Sequence, residues 1–178
     1  MKLQNVGIQD DDFDVFISLV DSFQPWIADE SLLKIRQEDV SDWSVGEHID
    51  HVLTADLLNL KAVLLLKLGR GQDILKGLNR AGQAVLATGE IPLGKSKAPD
   101  YVIPQPDRSG PEIEQLRIKV LDGWQGVASH LEEIDGKGQG LPHFAVGELG
   151  ARQWLRFARI HTQHHLNIVK RVLGDWVV

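Results

Sequence analysis

Two helical seams that carry histidine constrain this chain more than any other feature. From Trp154, the residues Ala158, His161, His165, Ile168 and Val172 follow at spacings of four, three, four, three and four, the period of one face of a helix. From Ser44, the residues His48, His51, Ala55, Leu58, Ala62 and Leu65 repeat the same alternation. Faces of this kind are buried against one another, so two helices are expected to aim imidazoles at a shared core. A buried imidazole must hydrogen-bond or ligate something, because an unpaired polar group in an apolar core costs on the order of 1–3 kcal/mol.

The rest of the pattern is helical as well. Residues 10–27 place Phe13, Phe16, Ile17, Val20 and Phe23 on one face, with Asp10, Asp11, Asp12 and Asp14 read as a solvated start favoured by the helix dipole. Pro25 is expected to bend or close this segment. Residues 44–68 open on a capping box, Ser44-Val45-Gly46-Glu47, and residues 109–134 open on another, Ser109-Gly110-Pro111-Glu112. In the latter segment Ile113, Leu116, Val120, Trp124, Val127, Leu131 and Ile134 keep the helical period until the glycines from Gly136 to Gly140. The last helix is expected over residues 146–173, with Lys170 and Arg171 near its negative end.

Between the second and third long helices the signal weakens. A short amphipathic helix is expected over residues 73–86, and Pro92, Pro99, Pro104 and Pro106 mark an irregular stretch behind it. No convincing alternating strand is present. The reading is therefore all-α: residues 1–178 form a single domain, an antiparallel four-helix bundle with a long irregular connection between its second and third long helices.

Composition narrows the chemistry. The chain has no cysteine, which excludes a disulfide scaffold, a thiolate metal site and a thiol nucleophile; any metal must be held by His, Asp or Glu. The net charge is −6, and no basic stripe offsets it, so nucleic acid is not an expected partner. The opening residues lack the apolar run of a signal peptide, and the most apolar window, residues 62–66, is far too short to span a bilayer. A soluble cytoplasmic protein acting on a small molecule, with no membrane partner, is the expectation.

A divalent metal would satisfy several buried imidazoles at once. His161 and His165, four apart, project from one helix face, and a third ligand from the facing helix would complete a three-histidine cup. His164 competes with His165, because three residues also span a turn, but His165 keeps the seam and is favoured; His48 competes with His51 in the same way. His130 and His143 are read as surface or loop histidines. The five tryptophans, Trp26, Trp43, Trp124, Trp154 and Trp176, are read as large bodies filling core layers or a dimer face.

The segment Trp43-Ser44-Val45-Gly46-Glu47-His48-Ile49-Asp50-His51 resembles the Trp-Ser-x-x-Glu-x-x-x-His segment of the DinB-like superfamily, which includes metal-dependent hydrolases of the YfiT type and thiol-dependent S-transferases. Trp154-Leu155-Arg156-Phe157 followed by His161-Thr162-Gln163-His164-His165 resembles its His-x-x-x-His segment. The resemblance implies a four-helix bundle, often a homodimer, with a divalent metal, commonly zinc or nickel, held by His51, His161 and His165. It further implies an enzyme that activates water or a small thiol for hydrolysis or S-transfer, with a low-molecular-weight thiol as a possible cosubstrate; the alternative is a non-catalytic metal-binding bundle or dimerisation module. No catalytic side chain is assigned. Glu47 is weighed as a base, but the capping box is its stronger reading.

Overall fold

The computed structural model describes residues 11–92 and 98–174; Asp10, with which the first helix was expected to begin, and Trp176 lie outside the described residues. The first expected helix is two: α1 (Asp12–Asp21) and α2 (Gln24–Ile27). The break falls before Pro25, which lacks the N–H that would bond the Asp21 carbonyl and whose ring crowds it, while in the first turn of α2 that loss is harmless. Phe16, Val20 and Phe23 are buried across the break. A short α3 (Glu30–Leu33) follows, capped by the Asp29 carboxylate, which accepts the Ser31 N–H at 2.9 Å.

The capping box at Ser44 is present and opens α4 (Val45–Lys67): Glu47 Oε2 accepts the Ser44 N–H at 2.7 Å, and Ser44 Oγ accepts the Glu47 N–H at 3.2 Å. The buried stripe of α4 is rotated from the expected seam. It runs through Ile49, Val52, Asp56, Asn59, Val63 and Leu66, whereas Leu58 is 37% exposed. Hydropathy alone passes over Asp56 and Asn59, and the stripe reads one position off in consequence.

Strand β1 (Gln72–Asp73) and helix α5 (Arg80–Thr88) occupy the connection. The short helix starts later than expected because Asn79 caps it, its side chain accepting the Gly82 N–H at 2.9 Å. A 3₁₀ turn (Asp100–Val102) leads towards the second capping box and α6 (Gly110–Ala128), which ends early. A turn at Ser129 and His130 separates it from α7 (Leu131–Gly136), with Leu131 and Ile134 still buried.

The expectation of no strands is corrected in the next segment. β2 (Gln139–His143) and β3 (Gly147–Leu149) form a hairpin, and β1 adds antiparallel to β2. These strands are two to five residues long, too short to print an alternation on the sequence. Gly147 has φ +97°, and a Cβ there would stand 2.6 Å from the Gly77 carbonyl oxygen, so the hairpin requires glycine. The Glu148 carboxylate accepts the N–H groups of Leu75, Lys76 and Gly77 at 3.0, 2.7 and 2.9 Å, tying the connection to the hairpin.

The last helix, α8 (Ala151–Leu173), therefore starts five residues after the expected position. It packs against α4 and α1, and α6 packs against the same two helices, around Trp124 and Phe16 in edge contact at 5.3 Å. The expected solvated start of the first helix is also corrected: Asp12 is buried, and its carboxylate accepts a hydrogen bond from Arg156 Nη1 at 2.6 Å. No described helix is long and apolar enough to cross a membrane.

Candidate metal centre

The first turns of α4 and the middle turns of α8 face each other, and histidine is what they bring together. His51 Nε2 lies 3.4 Å from His161 Nε2, and His165 Nε2 lies 3.2 Å from the same atom. The ligand atoms of these three residues all fall within 4.8 Å of one another. His51 Nδ1–H donates to the Val102 carbonyl at 2.7 Å, so a neutral ring there presents a bare lone pair at Nε2. The spacing fits a cation: tetrahedral nitrogen ligands at about 2.0–2.1 Å from a metal stand about 3.3–3.4 Å apart.

The electrostatics favour neutral imidazoles. Burial pushes His161 and His165 well below the usual histidine range, and each neighbouring ring discourages a positive charge further. Burial also lowers His51, against the opposing pull of the Val102 carbonyl and Asp50, and it lowers His48 to about 4. Neutral rings are the form in which histidine binds a metal. Aromatic surfaces back the cluster. Trp43 lies 4.8 Å from the His51 ring centroid and stacks towards His165 at 6.4 Å, and Phe157 stacks on His161 at 5.8 Å.

Residues 13–169 match the profile of the DinB superfamily. The chain belongs to the DinB superfamily. It is similar to the uncharacterized protein YuaE of Bacillus subtilis (strain 168), at 27% identity over 147 residues, covering 82% of this chain and 85% of that one. No solved structure matches.

In this DinB protein the competing histidines separate by position. His165, not His164, enters the cluster; burial lowers the His164 ring, against the opposing pull of the Ile91 backbone. His51, not His48, faces His161, while His48 contacts His165 from behind through Nδ1 at 3.1 Å. Glu47 is occupied with the Ser44 cap and with Arg36 Nη2 at 2.8 Å, which leaves it a structural role. His130 stays on the turn after α6, beside Ser129.

His143 corrects the surface-or-loop expectation. The hairpin presses its ring against Phe157, at 4.5 Å, and Trp154, at 5.3 Å, and burial lowers it to about 4. It lies one aromatic ring away from His161. Asp50 was also missed by sequence reading. Its buried carboxylate accepts the Gln105 N–H at 2.7 Å and pairs with Arg108 Nε at 3.3 Å. Asp50 and His51, adjacent on α4, thus hold the segment from Val102 to Arg108 against the cluster. The adjacent acid and histidine were visible in sequence, but their partners, more than fifty residues away, were not.

Proposed function

We propose that His51, His161 and His165 hold one divalent cation, zinc or nickel, and that the protein is a metal-dependent enzyme acting on a small molecule. The observation that carries this reading is the pair of nitrogen separations, 3.4 and 3.2 Å, that bring the buried rings of His51 and His165 onto the half-buried ring of His161. Cations resolve such a convergence of lone pairs, and three protein donors leave a coordination position for a reactant. Such a cation supplies Lewis acidity, enough to bring the pKa of a water to about 7 or to deprotonate a thiol.

The chain's own groups do the rest. Val102 orients the His51 ring through its carbonyl, Asp50 keeps that segment in place, and Trp43 and Phe157 shield the ligand rings from bulk water. With no cysteine in the chain, sulfur for an S-transfer reaction comes from a low-molecular-weight thiol cosubstrate. Hydrolysis needs only water. The circuit of contacts among α1, α4, α6 and α8 supports reading the fold as an antiparallel four-helix bundle. A cytoplasmic homodimer is the assembly this reading expects.

The test uses protein purified without an affinity tag and loaded with zinc or nickel, incubated with a panel of small thiols and electrophiles and with hydrolysable esters and amides. Metal-dependent product that disappears on chelation supports the enzyme. A tightly held metal with no turnover on any of these, together with loss of folding on chelation, would place the metal in a non-catalytic role.

A further inference from the structure

His48 and His165 meet nitrogen to nitrogen. Their Nδ1 atoms are 3.1 Å apart, and on the other side of the His48 ring Nε2 lies 2.9 Å from Ser41 Oγ, which also accepts the Trp43 N–H at 3.2 Å. His48 is 3% exposed and His165 7%, so water does not replace these contacts.

A neutral imidazole carries one proton on one of its two nitrogens. At 3.1 Å, two Nδ1 atoms form a hydrogen bond only when one of them is protonated and the other bare. If the proton belongs to His165, its Nε2 lone pair is free and points at the cluster. His48 must then accept at Nδ1, carry its own proton on Nε2 and donate it to Ser41 Oγ. In this arrangement both nitrogens of His48 and Nδ1 of His165 are hydrogen-bonded. The reverse assignment puts a proton on His165 Nε2, the atom 3.2 Å from His161 Nε2, and blocks the cup.

We propose that Ser41 and His48 are positioning residues which, through a two-bond relay, hold His165 in the tautomer that leaves its Nε2 free for a metal. The inference rests on the reading of His165 as a ligand and deepens it. It also distinguishes the three ligand rings. His51 is oriented by a backbone carbonyl, His165 by a side-chain relay, and His161 Nδ1 is buried without a hydrogen-bond partner among the described residues. A backbone carbonyl cannot be removed by substitution, so the relay is the part of this support that mutation can switch off.

The experiment measures zinc affinity of metal-free, tag-free protein by competition with a chromophoric chelator. His48→Phe keeps a ring of similar size without an acceptor and is expected to weaken zinc binding roughly 10–100-fold, the usual cost of losing a partner behind a ligating histidine. His48→Asn, whose carbonyl can accept near the position of Nδ1, is expected to recover most of that loss. Ser41→Ala is expected to fall between wild type and His48→Phe. Long-range proton–nitrogen NMR on the zinc-loaded wild type should show His48 protonated at Nε2 and His165 at Nδ1, a readout that does not depend on the variants folding.

Wild type that binds zinc while His48→Phe binds it equally well overturns the relay and leaves the metal site standing. The opposite tautomers in the NMR experiment overturn it too. A wild-type protein that takes up no zinc removes the metal reading, and the relay with it.

Discussion

Arg156 Nη1 donates to Asp12 Oδ1 across 2.6 Å, with both side chains 3% exposed, so the first turn of α1 is fastened to α8 through a buried ion pair. Arg159 Nη1 stands 3.5 Å from the same oxygen. Removing one partner of such a pair strands charge in a low-dielectric interior, which costs about 3–5 kcal/mol. Asp12→Ala is expected to lose stability of that order in urea unfolding, and Asp12→Asn, which keeps the hydrogen-bond acceptor, to lose less. An Asp12→Ala protein as stable as wild type would show that α1 is held by its apolar face alone.

Elemental analysis of tag-free protein should find divalent metal near stoichiometry, falling to a small fraction in His51→Ala and in His161→Ala. His130→Ala, remote from the cluster, should keep its metal. Equal metal content in all of these proteins would mean that the cation sits elsewhere.

Stability of the metal-free protein should fall on mild acidification. Burial lowers His48 and His143 to about 4 and depresses His51, His161 and His165 as well, whereas in the unfolded chain histidine titrates near 6.5. Between those values the unfolded chain binds more protons than the folded one. For His48 and His143 the contribution is therefore complete above about pH 6.5 and is lost as the pH falls towards about 4, and the other three rings act in the same direction. Asp50, Asp56 and Asp135, raised by burial, act with the opposite sign but are fewer. The melting temperature is expected to drop from about pH 7 to about pH 5, and His143→Gln to flatten the decline. A melting temperature that does not change over that interval would contradict the buried neutral state of these rings.

Asp56 is expected to be neutral. It is fully buried, which pushes its carboxyl well above the usual carboxylate range, and its Oδ2 lies 2.9 Å from Thr162 Oγ1, itself 2.9 Å from the Ala158 carbonyl. A hydroxyl has one proton to give, so a protonated Asp56 can donate to Thr162 while Thr162 donates to Ala158. A raised folded pKa contributes stability at low pH that is lost as pH rises through it. Asp56→Asn should therefore match or exceed wild type near neutrality and gain on it as pH rises, while Asp56→Ala should lose about 1–3 kcal/mol. If Asn and Ala are equally damaging in denaturant titrations, Asp56 is ionised in the fold.

Features set by neighbours a few residues apart were legible in the sequence. The capping boxes at Ser44 and Ser109 and the His161–His165 turn follow from helical geometry, and they appear as read. Features that depend on distant partners were not. The buried stripe of α4 includes Asp56 because Thr162 answers it from α8, and the aspartate at the start of α1 is buried because Arg156 meets it there. His143 reads as a loop residue until the hairpin folds it onto Phe157.

By itself the sequence determined that two helices would carry imidazoles on their buried faces and that no thiol of the chain could compete with them for a metal, because side-chain identity and helical period are local properties. Helical period left His48 against His51 and His164 against His165, the family resemblance favoured His51 and His165, and the tertiary structure shows why those two converge on His161. His51 rather than His48 reaches His161, and His165 rather than His164 joins it, because ring placement depends on the rotation of α4 against α8 and on the groups behind each ring. Turning either helix by one residue, about 100°, would present a different set of nitrogens.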